Sequence, residues 1–355
     1  MAEKKQKNVL PIGIDIGTDV IKIAQLVRNG DGLMLQSCAE AVVPAHVRSD
    51  PLARLEFFTS AIPKILRNGS FLGKKCILSV PAVNTLVRHV KIPRLDPDST
   101  RTAVLRMAQE ELSYPVAEAV VRYLLITEVY TEGEPRQEVL LIAVPRTTIE
   151  AYMNMAGHAH MDVLGISIEP LAIADCFGTL FDWAKDEQHS NLFLDIGHAT
   201  AQVVITHGPK VAFVRNLERG LTLLDESISD AMKISVEEAR TTRMSATGLD
   251  SSGEDYMKIK PHLEPWLEGL ADSIDKCLLY YQSLHRKSGV SRVVFTGGFA
   301  QERRLCQLLA QRLNLPAQVG DPVSGLAGGM ERLMGMKTPA SSMAVCFGLC
   351  LSDFS

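Results

Sequence analysis

The chain has 355 residues, with 37 Lys and Arg against 41 Asp and Glu, a formal net charge of −4 and 46% apolar residues. That length predicts two domains or three, and that composition predicts a sizeable buried core, which excludes a disordered chain. The mildly acidic balance leaves no electrostatic footprint for nucleic acid, so no nucleic-acid partner is expected.

Taken in chain order, MAEKKQKN is followed by an apolar stretch that Asp15 interrupts, which argues against a signal peptide. Ile12, Ile14 and Ile16 alternate with Gly13 and Asp15, and Ile21 and Ile23 flank Lys22. This predicts a strand, a tight turn at Gly17 and a second strand. The Asn-Gly-Asp-Gly at 29–32 signals a further hairpin and a third strand. Leu52, Leu55, Phe58, Ile62, Ile65 and Leu66 fall at helical spacing and predict a helix over 51–68, although Pro63 lies inside it.

From Lys75 to Ile168 the texture changes. KCILSVPAV and LVRHVKIP read as strands, and residues 99–113 as a helix capped by Asp98 or Ser99 and stopped by Pro115. VVRYLLITEVY and EVLLIAVP predict a hairpin across TEGEPRQ, followed by a helix at 147–158 and the strand DVLGISIEP. That order predicts a small α+β subdomain. NLFLDIGHATAQVVITHG then reads as strand, turn at Gly197, strand, with helices at 220–233 and 235–244. The clearest helix covers 263–286, where Leu263, Trp266, Leu267, Leu270, Ile274, Cys277, Leu278, Tyr281 and Leu284 keep one apolar face. SSGED at 251–255 reads as a surface turn. SRVVFTGGFAQERRLCQLLAQRL predicts strand, glycine turn, helix, and SSMAVCFGLCLS a buried helix whose small residues allow close packing.

Asp15-Ile16-Gly17 recurs as Asp195-Ile196-Gly197, each between two apolar strands, so the chain reads as duplicated. Glycine at a tight strand–strand turn lets backbone N–H groups approach an anion. Two such hairpins facing each other can clamp a polyphosphate, and an aspartate ending each strand, Asp15 and Asp195, can hold Mg²⁺ indirectly through its water shell.

The order of hairpin, insertion, second hairpin, long helix and strand–GG–helix resembles the actin-like ATPase superfamily. IGIDIGTDVIKI and NLFLDIGHATAQVVI resemble its two phosphate motifs, VVFTGGFAQERRL its adenosine motif, and Glu169-Pro170 and the late GLCL its two connecting helices. Lys22 stands where that superfamily often has a lysine reaching the phosphates. The resemblance implies an α/β, actin-like (ribonuclease H-like) duplicated two-domain fold with a small α+β subdomain inserted in the first half. It divides the chain into 1–76, an inserted 77–168, a second domain 169–340, and a C-terminal helix at 341–355 packing back on the first half.

Within the superfamily, VRHVKIPRLDPDSTRTAVLRMAQEELSYPVAEAVVRY and EVLLIAVPRTTIEAYMNMAGHAHMDVLGISIEP are similar to the extra subdomain of the type IV pilus assembly protein PilM family. That resemblance implies a cytoplasmic scaffold, peripheral at the inner face of the cytoplasmic membrane. It would bind the short N-terminal cytoplasmic tail of a PilN-like membrane protein, with other platform components and self-association also expected. The implied cofactors are ATP and Mg²⁺. The implied nucleotide-binding residues are Asp15, Gly17, Thr18, Asp19, Lys22, Asp195, Gly197, His198, Ala199, Thr200, Gly220, Arg243, Gly297, Gly298 and Phe299. Asp195 and Glu169 are the candidates for positioning Mg²⁺ or water.

Five positions depart from the pattern, one of them Arg219, which precedes Gly220 where the family often has two glycines. Arg240 and Arg243 stand where the family usually has Glu and Lys holding ribose and adenine; Arg243 can still meet a base, but Arg240 cannot accept from ribose hydroxyls. Asp19 and His198 occupy phosphate-turn positions where small or hydroxyl residues are common, and a carboxylate at Asp19 repels phosphate unless Mg²⁺ or Lys22 lies near. These departures predict a structural or regulatory ATP that turns over slowly, at most a slow ATPase.

The alternatives carry their own requirements. An FtsA-type division scaffold usually ends in a membrane-targeting amphipathic helix, which LSDFS does not supply. A sugar-kinase-type phosphotransferase needs an extra catalytic aspartate. A type II secretion platform protein usually continues into a transmembrane helix. The longest apolar run here, Ala344 to Leu351, is too short to span, so no direct membrane insertion is expected. Seven cysteines with no CxxC pair fit a reducing compartment. His158 and His160 read as surface helix residues, and GSFLGKK lacks the spacing and hydroxyl of a P-loop.

Overall fold

The computed structural model describes residues 9–30, 32–131, 133–248, 253–285, 289–327, 333, 336 and 338–353. Two five-stranded sheets share one plan. In the first, β1 (Val9–Ile16), β2 (Val20–Asn29) and β3 (Gly32–Val42) are antiparallel, and β4 (Lys75–Val80) and β8 (Asp162–Ile168) join in parallel, in the order β3-β2-β1-β4-β8. In the second, β9 (Ser190–Ile196), β10 (Ala201–His207), β11 (Lys210–Leu217), β12 (Val290–Thr296) and β13 (Ala317–Val319) repeat it as β11-β10-β9-β12-β13. A third, antiparallel sheet holds β5 (Leu86–Pro93), β6 (Ala119–Thr131) and β7 (Glu134–Pro145) in the order β5-β7-β6.

Alternating isoleucines build the first core. Ile12, Ile14, Ile16, Ile21 and Ile23 bury one sheet face against Phe58 and Ile62 of α1 (Pro51–Asn68). Asp50 caps that helix by accepting from the N–H groups of Leu52 and Ala53, and Pro51 fills the first helical position, where no N–H is needed. Gly13 faces the other side, where a Cβ would lie 2.2 Å from the Cys346 carbonyl oxygen. There α10 (Ala344–Leu351) rests against β1 and β2 and against α4 (Glu169–Leu180), with Gly348 lying directly on the Ala172 carbonyl. The small-residue pattern read from the sequence thus supports a close helix–sheet–helix contact.

The inserted sheet has its own core of Val90, Ile92, Val139 and Leu141 with Val104 and Ala108 of α2 (Pro97–Glu111). It docks on the second half through a buried polar seam. Glu138 is fully buried and accepts from the Tyr280 hydroxyl at 2.6 Å. His89 Nδ1 lies 3.2 Å from the same oxygen, while its Nε2 accepts from the Val214 N–H at 3.1 Å and so carries no proton. The imidazole stacks on Phe213 at 4.7 Å between ring centres.

Several expectations are corrected. The expected boundaries at 76/77 and 168/169 cut into β4 and place β8 in the insertion, yet both strands belong to the first sheet, because they pair in parallel beside β1. Helix α2 begins at Pro97, not 99, with Asp96 rather than Asp98 or Ser99 as its cap, since a proline suits the first helical position. Strand β7 starts at Glu134, so the hairpin loop is shorter than TEGEPRQ; Gly133 there takes a positive φ of 84°. The helix expected at 263–286 runs instead as α8 (Gly253–Leu284), and Gly253 to Asp255 are helical rather than part of a surface turn; Ser251, Ser252 and Arg286 lie outside the described residues. Pro261 and Pro265 face solvent, while Tyr256 and Ile259 continue the buried face, so tertiary packing carries the helix past both prolines. Strands β11 and β13 had no sequence expectation.

Candidate functional site

The two hairpin turns, α4, and the Gly297–Phe299 turn converge on a cleft of about 300 Å³ between the two halves. Asp15, Gly17, Thr18, Asp19, Lys22, Glu169, Asp195, Gly197, His198, Ala199, Thr200, Arg243, Gly297, Gly298 and Phe299 all line it. Gly220, the remaining expected residue, does not. It packs behind the second turn, where a Cβ would come within 2.3 Å of the His198 oxygen and the Ala199 carbonyl carbon. Its bare Cα lets α6 (Leu221–Met232) start directly under that turn, with the Leu221 and Thr222 N–H groups bonded to the Gly197 and His198 carbonyls.

Asp15 is the penultimate residue of β1 and is 2% exposed. Its Oδ2 lies 2.5 Å from Lys22 Nζ, and its Oδ1 accepts from the Ser79 hydroxyl at 3.1 Å. Ser79 in turn accepts from the Ile16 N–H, and Lys22 also donates to the Ser342 carbonyl. Burial disfavours the Lys22 ammonium, but the pull of Asp15 and, further off, Asp195 more than offsets it, so its pKa rises. Asp195 is the penultimate residue of β9, in the matching place. Burial raises its carboxyl to about 6, against the pull of Lys22 and with repulsion from Asp15. Glu169 opens α4, accepts from the Ala82 N–H at 3.1 Å and from the Gln202 amide, and is pushed up to about 8 by burial and by Asp15 and Asp195. Gly297 sits beside Asp195 with φ 74°, in the left-handed region, where a Cβ would meet the Asp195 carboxylate.

Asp15, Asp195 and Glu169 therefore crowd around one ammonium. Among the described residues, no group of three or more His, Cys, Asp or Glu side chains is set to ligate a metal directly. A hydrated divalent cation fits this donor set, because it would supply the positive charge the raised Asp195 and Glu169 call for while keeping its own waters.

At the mouth, two of the departures seen in the sequence, Asp19 and Arg240, are each other's partners. Asp19 receives both Nη groups of Arg240, at 2.9 and 2.6 Å, and Arg48 Nε at 2.9 Å. Arg240 lies on α7 (Val236–Thr247), whose Glu237 pairs with Arg48 Nη1 at 3.0 Å. Although burial opposes it, these arginines hold the Asp19 carboxyl below its ordinary value. So arginines, not Lys22, neutralise Asp19. Burial lowers His198 beside them. Arg243 lines the cleft but is 2% exposed, with Nε 2.5 Å from Asp225 and Nη1 on Glu302, whose other oxygen accepts from Thr247 at 2.7 Å. Its guanidinium is engaged with wall carboxylates.

Sequence reasoning missed Ser79, Gln202, Ser342, Arg48 and Glu302. Only Gln202 had a readable signal: it stands seven after Asp195, as Lys22 stands seven after Asp15. His158 and His160 are exposed, with His158 Nδ1 2.8 Å from the Asn154 carbonyl oxygen of its own helix. Among the described residues, no helix is long and apolar enough to cross a membrane.

The family model described as "Type IV pilus assembly protein PilM" matches residues 13–354. Among solved structures, a PilM–PilN type IV pilus biogenesis complex is similar at 18% identity and TM-score 0.77, over 97% of this chain and 98% of that one. The ethanolamine utilization protein EutJ from Carboxydothermus hydrogenoformans matches at 15% identity and TM-score 0.53, over 98% and 93% of the two chains. MreB5 of Spiroplasma citri bound to ADP matches at 12% and TM-score 0.52, over 95% and 94%. At these identities the structures establish an actin-like ATPase fold.

Proposed function

The chain belongs to the type IV pilus assembly protein PilM family, and on that premise we propose that it is a nucleotide-binding scaffold of the pilus assembly platform, held at the inner face of the cytoplasmic membrane by the short cytoplasmic tail of a PilN-like membrane protein. The observation that carries the nucleotide reading is the pair of glycine turns facing one cleft, with Asp15, Asp195, Glu169 and Lys22 between them. The turns at Gly17 and Gly197 would present backbone N–H groups to a polyphosphate. Lys22 reaches the phosphates, and Asp15 and Asp195 hold the waters of Mg²⁺, which would supply charge neutralisation. The Gly297–Phe299 turn borders the nucleoside end. Support from outside the chain comes from MreB5, a structure of this fold solved with ADP.

Turnover is slow on this reading. Glu169, a candidate for positioning the attacking water, spends one carboxylate oxygen on the Ala82 N–H and the Gln202 amide, and an Asp19–Arg240 ion pair and His198 occupy positions where the family usually has small, hydroxyl or ribose-accepting side chains. The partner reading is supported by the PilM–PilN complex of similar fold. Capture of the synthetic cytoplasmic tail of a PilN-like protein, measured by fluorescence anisotropy with and without ATP and Mg²⁺, tests it. Binding in either state supports the scaffold, and no binding in both states refutes it. Calorimetry with ATP and Mg²⁺ tests the cleft separately, where rapid phosphate release from a tightly bound ATP would overturn the slow-turnover reading.

A further inference from the structure

Glu237, Arg48, Asp19 and Arg240 form an unbroken chain of alternating charge across the mouth of the cleft. Two members come from each half, and two of the three links, Glu237–Arg48 and Asp19–Arg240, cross between the halves. Asp19 lies in the β1–β2 turn and Arg48 just after β3, whereas Glu237 and Arg240 share one face of α7, three residues apart. The Asp19–Arg240 pair is bidentate, with side-chain exposures of 18% and 24%, and Arg48 is 13% exposed. A paired, part-buried network of this geometry stands apart from isolated surface ion pairs, which contribute little. The chain also marks a boundary. Arg240, Thr18, Val83, His198 and Ala199 line both the inner cleft and an outer pocket of about 570 Å³ that contains Arg48 and Glu237.

We propose that this network is a latch that holds the two halves together without nucleotide, and that Asp19 is an internal anion competing with the phosphates of a nucleotide for Arg240, the arginine of the network that lines the cleft. The competition rests on the nucleotide reading above; the latch itself does not. An anionic polyphosphate in the cleft presents the same chemistry to that guanidinium that Asp19 does, namely paired oxygens on a planar fork. Entry of the nucleotide therefore exchanges a bond between the halves for a bond to the ligand. This couples occupancy of the cleft to the freedom of α7 and the first turn.

The test is hydrogen exchange on the full chain without nucleotide, comparing wild type with Asp19→Asn and with the charge-keeping Asp19→Glu. Asp19→Asn should speed exchange several-fold in the β1–β2 turn and in α7, and Asp19→Glu should retain most of the protection because both arginines keep their anion. In wild type, raising NaCl from low to high concentration should produce a smaller speeding in the same two segments, since part-buried pairs are screened less than exposed ones, which keeps the proposal open to refutation if the variants fold poorly. In parallel, Asp19→Asn should bind ATP with Mg²⁺ about 5-fold more tightly, the size of an ordinary coupling between sites. Equal exchange in wild type and Asp19→Asn, with no response of wild type to salt, overturns the latch whether or not ATP binds. Faster exchange with ATP affinity unchanged or weakened overturns the competition. Faster exchange with no ATP binding by either protein upholds the latch and refutes the nucleotide reading instead.

Discussion

The two phosphate-turn hairpins are built alike and charged differently. Each carries Asp-Ile-Gly at the end of a buried strand, and each aspartate is paired across the hairpin with the residue seven positions on. In the first hairpin that residue is Lys22, and Asp15 sits in an ion pair backed by Ser79. In the second it is Gln202, which turns its amide to Glu169, and Asp195 is left to burial and pushed up to about 6. The duplicated backbone makes two equivalent anion-facing turns, and one cross-strand residue makes their chemistry unequal. The asymmetry is useful to a single ligand between them: one turn is already neutralised, the other waits for a cation.

Substitutions that break this comparison should act in a definite order. Lys22→Met removes the ammonium that Asp15, Asp195 and Glu169 share and should destabilise the fold by roughly 3–5 kcal/mol, as for a broken buried pair, while abolishing calorimetric ATP binding; urea midpoints and titrations check both. Gly220→Ala drives a Cβ into the backbone of the second turn. It should cost about 1–3 kcal/mol in thermal or urea unfolding, whereas Gly298→Ala, with nothing within 4 Å of its Cβ, should cost well under that.

A third prediction uses pH. Because the fold raises Asp195 from 3.8 to about 6, the folded state holds the proton more tightly than the unfolded chain. Stability from this group is fully present below its unfolded value and is lost as pH rises to about 6. Asp195→Asn should remove that decline, leaving the variant about 1–3 kcal/mol more stable than wild type at pH 7 in urea unfolding. Glu169→Gln should do the same across the wider window from 4.5 to about 8. The smallest effect should come from Gln202→Lys, which gives the second hairpin the cation of the first. The Asp195 carboxyl should then titrate below its present value in carbon-detected NMR, and no shift would show that the cross-strand residue does not set the difference.

The relation of sequence to site is uneven, and particular residues show why. The DxG hairpins, the Gly297-Gly298 turn and the buried C-terminal helix were legible because strand alternation, turn glycines and small-residue packing are local signals. The start of α8 was not, since only its packing against the second sheet reveals that Tyr256 and Ile259 extend the buried face past two prolines. Strand β13, with the three residues Ala317–Val319, has too little pattern to read. Asp19 and Arg240 were each visible as departures, 221 positions apart, but nothing in the sequence joined them.

By itself, then, the sequence determined the repeat, the two glycine turns and which carboxylates and lysine stand at their ends. These depend on neighbours a few residues away, where backbone geometry is decided. Only the tertiary structure decided the charge states and partnerships: Lys22 serving three carboxylates, Arg243 committed to Asp225 and Glu302, and Asp19 bridged to Arg48 and Arg240. The reason is that electrostatic energy depends on distance and burial in space, and both are set by how the two halves close on one another.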